Sequence, residues 1–164
     1  MIGEPRIYTR PQMPTMGIRL QTPFEGMFKH VNLMLKELNA WIKQRGIVPA
    51  GPPMLRYHVI DMKGEMDIEV AIPVAEPMKG DGRVQPDILP GGRYASLIYS
   101  GSGMAGNKAL LGWIGSQELI ADRWKDPKGD GFRARFEAYL TDPKIEHRKT
   151  KWDVELAIKL ADER

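Results

Sequence analysis

The stretch of this 164-residue chain with the clearest chemical potential is Phe132–Leu140, FRARFEAYL, where one carboxylate, Glu137, sits among aromatic and apolar neighbours. A carboxylate buried without a fixed cation has its charged form disfavoured and its pKa raised, and a cationic guest restores the missing partner. Such a site selects positively charged, mostly apolar molecules. The competing reading is structural, with Glu137 at an exposed alternate position of a strand or paired with Arg133 or Arg135.

Tyr57, Tyr94, Tyr99 and Tyr139 fall on or beside the strands expected nearest Glu137, and Trp113 falls on the inward stripe of the second predicted helix with Leu110, Gln117 and Ile120. Aromatic faces stack on planar guests and attract cations, although core packing explains each ring equally well. Strand alternation adds a condition: Glu137 and Tyr139 share one side while Phe136, Ala138 and Leu140 share the other, so a pocket lined by Glu137 is lined by Tyr139 too. Trp41 reads as core and Trp152 as a loop residue able to cap a cleft. Several of the ten methionines could provide an adaptable lining.

Other chemistries find little support. The chain has no cysteine, which removes disulfides, thiolate metal sites and thiol nucleophiles. His30, His58 and His147 lack metal-ligand spacing, and no serine-histidine-acid constellation stands out, so neither a metal nor a cofactor is expected. Gly101–Gly106 spells G-x-G-x-x-G before a predicted helix, with Lys108 close behind. A phosphate loop needs Lys and Ser/Thr directly after its last glycine, where Asn107 and Lys108 stand, and the strands that follow come as an adjacent pair instead of alternating with helices.

Lys plus Arg is 24 against 21 Asp plus Glu, a formal charge of +3 without a basic run or stripe, so nucleic acid is not an expected partner. The N-terminus lacks a signal-peptide pattern and no window reaches membrane-span length. These features predict a cytoplasmic protein with a small-molecule partner, its oligomeric state left open.

The positioning elements follow from periodicity. Arg6 to Tyr8 and Met16 to Gln21 read as an irregular first strand cut by prolines, and Phe24 to Arg45 as a helix with Phe28, Val31, Leu35, Leu38 and Ile42 on one stripe. A proline-rich loop at 48–53 leads to a strand at Met54–Asp61, and Asp67–Val74 alternates as a half-buried strand. The second half repeats the order, with a strand at Tyr94–Tyr99, a helix at Met104–Trp124, and strands at Phe132–Leu140 and Asp153–Leu160.

A shift of 79 positions lays Tyr57-His58 on Phe136-Glu137, which is why His58 joins the candidates, and a shift of 86 lays Asp67-Ile-Glu-Val-Ala-Ile on Asp153-Val-Glu-Leu-Ala-Ile. The expected fold is therefore α+β: duplicated strand-helix-strand-strand units about a pseudo-twofold axis, an antiparallel sheet with helices packed on it, and a cleft between the halves. Within a single domain of 1–164, the first repeat takes 1–78, a Pro/Gly-rich linker 79–91 and the second repeat 92–164.

Gly51-Pro-Pro, Gly92-Arg-Tyr-Ala-Ser-Leu, Phe136-Glu-Ala-Tyr-Leu-Thr-Asp-Pro and Asp153-Val-Glu-Leu-Ala-Ile occur in an order and spacing that resemble the GyrI-like family. Members of that family form the effector-binding domains of multidrug-sensing transcription regulators. The resemblance covers nearly the whole chain and implies the duplicated fold, with the family's glutamate on Glu137 and its second-half tyrosine on Tyr94. No DNA-binding region precedes residue 1 of this sequence, so the implied role is a stand-alone binder of lipophilic, planar, often cationic xenobiotics. The family also implies two alternatives: a hydrolase opening cyclopropane-containing DNA-alkylating compounds, with Glu137 as its catalytic residue, and a protein-interaction module of the gyrase-inhibitor type.

Overall fold

The computed structural model describes residues 1–162. Ten strands and two helices run in the order β1 (Arg6–Arg10), β2 (Met13–Pro23), α1 (Met27–Gln44), β3 (Met54–Ile60), β4 (Glu65–Pro73), β5 (Gln85–Leu89), β6 (Gly92–Tyr99), α2 (Gly103–Ser116), β7 (Arg123–Asp126), β8 (Gly129–Phe132), β9 (Arg135–Tyr139) and β10 (Val154–Lys159). The strands pair antiparallel in the order β1-β6-β10-β9-β3-β4-β2-β5, with the β7–β8 hairpin joined to β3. The fold is α+β, a large curled antiparallel sheet carrying both helices on one face.

Alternation along each strand separates two sides. On the helix side, Met27, Val31, Met34, Leu38 and Ile42 of α1 cover Ile18, Ile68, Val70 and Ile72, while Leu110 and Ile114 of α2 cover Leu97, Leu156 and Ile158. Inside the curl, a third cluster gathers Met54, Ala71, Leu89, Tyr94, Phe136 and Ala138, with Tyr8 and Met13 packed against it. Nearly all these side chains are fully buried, and burial on this scale is the main favourable term in folding.

Two expectations about the sheet need correction. The stretch 79–91 contains β5, which pairs with the start of β2, so a proline-containing segment serves as an edge strand, where a missing N–H costs no ladder bond. The irregular first strand is in fact two, and they belong to opposite ends of the sheet. Residues 6–17 run against residues 85–96 in one unbroken register, from Arg6 opposite Ser96 through Arg10 opposite Gly92 to Met13 opposite Leu89 and Gly17 opposite Gln85. Strand pairing pauses only around Pro11-Gln12 and Pro90-Gly91. There the backbones approach so closely that a Cβ on Gly91 would lie 2.6 Å from the Gln12 nitrogen. Each half thus lends its leading strand to the edge of the other.

The second helix is shorter than predicted. It stops at Ser116, where Glu118 adopts left-handed φ 54° and the Leu119 amide donates back to the Ile114 carbonyl. Ile120 therefore lies beyond the helix, 73 % exposed.

Candidate functional site

The pairing registers place the centre of the repeat. Tyr57 lies opposite Ile68 on β4, and Tyr139 lies opposite Val154 on β10, the strand that repeats β4. Tyr57 and Tyr139 are therefore counterparts, at a shift of 82 (139 − 57), and the same shift carries Leu55 onto Glu137. Leu55 and Glu137 face each other across the central β3–β9 pair, so the pseudo-twofold axis passes between them. The alignment of His58 with Glu137 is thereby corrected by three residues: the longer loops of the second half add three residues before β9 and four after it.

Glu137 is 6 % exposed at the floor of a cavity of about 1310 Å³ between the helices. The walls are Phe28, Val31, Leu35 and Ile47 on the α1 side, and Tyr99, Tyr139 and Trp152 on the other. Tyr99 donates its hydroxyl to Glu137 Oε1 at 3.3 Å and Tyr57 donates to Oε2 at 3.4 Å. Among the described residues no cation comes within ion-pair distance of Glu137. Burial pushes its carboxyl above the ordinary range, against the opposing pull of the Tyr99, Tyr57 and Asn107 hydrogen bonds and of the Arg135 charge. Burial likewise raises the phenols of Tyr57 and Tyr139, with the Glu137 charge adding to it, so both remain neutral donors at ordinary pH. Arg135 shares the cleft-facing side of β9, stacks over Phe132 at 4.8 Å and donates to Asn107 Oδ1 at 2.7 Å.

The glycines of the G-x-G-x-x-G segment have a packing role here. Gly101 takes φ +88° at the turn into α2, and Ser102 caps the helix by accepting from the Ala105 amide. A Cβ on Gly106 would lie 2.7 Å from the Tyr99 ring, and one on Gly103 would lie 3.1 Å from its hydroxyl. These glycines let α2 lie flat on the tyrosine that holds Glu137.

Of the residues named from sequence, Glu137, Tyr139 and Tyr99 meet at the cavity, and Tyr57 reaches its floor from the first core. Tyr94, His58 and Trp113 do not. Tyr94 has the parity opposite to Tyr99 and points into the curl, fully buried, where it donates to the Pro90 carbonyl at 2.6 Å. His58 has the parity opposite to Tyr57, and its Nε2 meets Glu69 Oε1 at 2.8 Å. Its ligand atoms and those of Glu69 and Asp87 lie within 4.8 Å of one another, with Arg56 3.5 Å from Asp87 as a compensating charge. Trp113 packs on the core beneath α2. Trp41 packs on the first core under the Arg45 guanidinium, 3.9 Å from its ring centroid, beside a separate depression of about 380 Å³.

Trp152, read from sequence as able to cap a cleft, does line it, whereas the part played by α1 goes unassigned there. Trp152 stands edge-on to Tyr139 at 6.0 Å, held by its Nε1 donating to the Glu146 carbonyl. Phe28 and Leu35, assigned to the core stripe of α1, turn to the cavity, with Phe28 46 % exposed. The signal was present in the excess width of that stripe, since the core is already filled by Met27, Val31, Met34, Leu38 and Ile42.

Comparison with known proteins bears on this geometry. Residues 3–161 match the family described as the GyrI-like small molecule binding domain. No curated protein matches the sequence significantly. Among solved structures, the C-terminal domain of EcmrR is 16 % identical with a TM-score of 0.73, over 99 % of this chain and 100 % of that one. In the EcmrR–DNA complex the figures are 15 % and 0.74, and the match spans 98 % of this chain but only 58 % of that protein. SAV2435 bound to tetraphenylphosphonium is 10 % identical (TM-score 0.60, 96 % and 94 % covered), and a hydrolase from Listeria innocua is 13 % identical (0.61, 96 % and 92 %). At these identities the likeness concerns the fold.

Proposed function

The chain belongs to the GyrI-like small-molecule-binding family, and from that premise we propose that its cleft binds lipophilic, planar, often cationic xenobiotics with Glu137 as counter-charge. The observation that carries this reading is a carboxylate buried at the floor of an aromatic cavity, without an ion-pair partner among the described residues. A cation entering the cavity replaces the hydration that Glu137 lacks, while Tyr139, Tyr99 and Trp152 offer ring faces and edges to a flat guest. The compound bound by SAV2435, tetraphenylphosphonium, shares the lipophilic and cationic character of these guests, although it is tetrahedral and not planar.

The test is a titration of wild type and Glu137→Gln with N-methylacridinium and with N-methylacridone, which is planar but neutral. The exchange keeps size and removes charge, so acridinium affinity drops by about 10- to 100-fold, the range for a charged hydrogen-bonded contact, while acridone affinity changes little. Equal affinity of the wild type for both compounds overturns the counter-charge role. A folded protein that binds neither shifts weight to an interaction role of the gyrase-inhibitor kind.

A second reading rests on the same carboxylate. With its pKa raised, Glu137 is suited to take a proton from a water attacking a strained cyclopropane ring held against the aromatic walls. The hydrolase of similar fold keeps this reading open. Ring-opened product forming with catalytic amounts of wild type, and absent with Glu137→Gln, makes the protein an enzyme; saturable binding without product leaves it a binder.

A further inference from the structure

The cavity is charged in opposite senses at its two ends. Its floor carries Glu137, whereas its mouth is rimmed by Lys36 and Lys43 from α1 and by Lys144 and Lys149 from the loop between β9 and β10. All four lysines are exposed. Among the described residues that line the mouth, the one acid is Asp142, whose Oδ1 already accepts from the Lys144 amide. Of the other acids on these elements, Glu37 pairs with Arg83 at 3.5 Å and Glu146 with Arg148 at 2.7 Å, while Asp153 is exposed at the start of β10 and does not line the cavity. Among the described residues no carboxylate pairs with Lys36, Lys43 or Lys144. Lys149 reaches across the opening to Asn32 on α1 and lies 5.8 Å over the Trp152 ring.

Four lysines less one aspartate leave the mouth at +3, equal to the formal charge of the whole chain. With Glu137 counted at the floor, the rest of the chain carries +1 (3 − 3 + 1), so most of the excess positive charge is concentrated where a guest must pass. A guest that is only cationic gains at the floor and is repelled at the rim. We infer that the cleft selects amphipathic zwitterions, molecules with a planar cationic or donor head for Glu137 and an acidic group, such as a carboxylate or sulfonate, at the end that reaches the lysine rim. This rests on the binding reading of the cleft and adds to it the identity of the guest's outer end. Between the two charged ends the wall of Phe28, Leu35, Tyr139 and Trp152 fits the guest's apolar span.

Three acridinium probes with one head and different tails test it: N-pentylacridinium, N-(4-carboxybutyl)acridinium and N-(4-trimethylammoniobutyl)acridinium. Titrated into wild type at low salt, the carboxylate tail binds best and the ammonium tail worst, with steps of roughly 3- to 10-fold, the size of partly exposed charge contacts. The steps shrink at about 0.5 M salt, where the screening length falls to a few ångströms. In Lys36→Gln/Lys144→Gln, which removes one charge from each side of the mouth, the three affinities draw together to within about 2-fold. Equal affinities for the three tails in wild type overturn the inference while leaving the cleft reading intact, as does a carboxylate preference that survives in the double variant. Failure of all three probes to bind folded wild type overturns both.

Discussion

Gly106→Ala isolates the contact between α2 and the tyrosine that holds Glu137. The added methyl would meet the Tyr99 ring at 2.7 and 2.8 Å from Cδ1 and Cγ, closer than carbon atoms approach, so the ring must tilt or the helix must lift. Overpacking of this kind costs about 1–3 kcal/mol. Against that, replacing glycine inside a helix gains about 0.5–1 kcal/mol. The net expectation is a destabilisation of up to about 2 kcal/mol, together with loss of the 3.3 Å Tyr99–Glu137 hydrogen bond. The same helix supplies its own control, because a Cβ on Gly112 meets nothing within 4 Å. Gly112→Ala should therefore stabilise by about 0.5–1 kcal/mol, with a sign opposite to that of Gly106→Ala. Urea unfolding of the two variants measures the difference, and a Tyr99→Val background, which removes the ring, should turn Gly106→Ala from destabilising to stabilising. If Gly106→Ala stabilises wild type as much as Gly112→Ala does, the packing argument for Tyr99 is wrong.

Because burial raises the Glu137 pKa in the folded state, folded protein holds more protons than unfolded protein between the ordinary carboxylate pKa and the raised one. Stability of the ligand-free protein therefore falls as pH rises through that window, and Glu137→Gln removes the slope; unfolding of both proteins from about pH 4 to about pH 8 checks it. In the same window a cationic guest releases a proton on binding, so acridinium affinity rises with pH, measurable by calorimetry in buffers of different ionisation enthalpy. Trp152→Ala should weaken binding of planar guests about 3- to 10-fold through loss of the ring edge against Tyr139, read by titration with N-methylacridone. Tyr94→Phe should leave those affinities unchanged and cost about 1–2 kcal/mol in urea unfolding, since it orphans the Pro90 carbonyl inside the curl.

Features set by local pattern could be read from the chain. The alternation of Asp67–Val74, the long stripe of α1 and the shared side of Glu137 and Tyr139 follow from side-chain period alone, and the duplication follows from similar residues in the same order at offsets that grow from 79 to 86. Features set by partners could not. Pro86 and the glycines around it read as linker because sequence does not say that the β5 edge faces β2 on one side only. Tyr94 was grouped with Tyr99 by nearness in the chain, although their odd separation of five residues places them on opposite faces. His58 was matched to Glu137 by an alignment of residue types, and only the pairing of β3 with β4 and of β9 with β10 shows Leu55 in that place. The glycines of Gly101–Gly106 match a phosphate loop in spelling only, and their packing role stays hidden because nothing in the sequence reveals the Tyr99 ring that lies against them.

The exchange of leading strands has a consequence for the order of events as the chain emerges during synthesis. Strand β1 is made first, yet its partner β6 begins at Gly92, and the outer edge of β2 stays open until Gln85–Leu89 has appeared. The first half can gather α1 on β3 and β4 early, but it carries a strand with nothing to pair and a sheet with an unfinished border until residues 85–96 have appeared. Contacts so distant in sequence slow folding, and open borders invite pairing with other chains. These two borders cannot close before residue 96 is available, and substitutions around Pro11 and Pro90 should act on the yield of folding more than on the finished molecule.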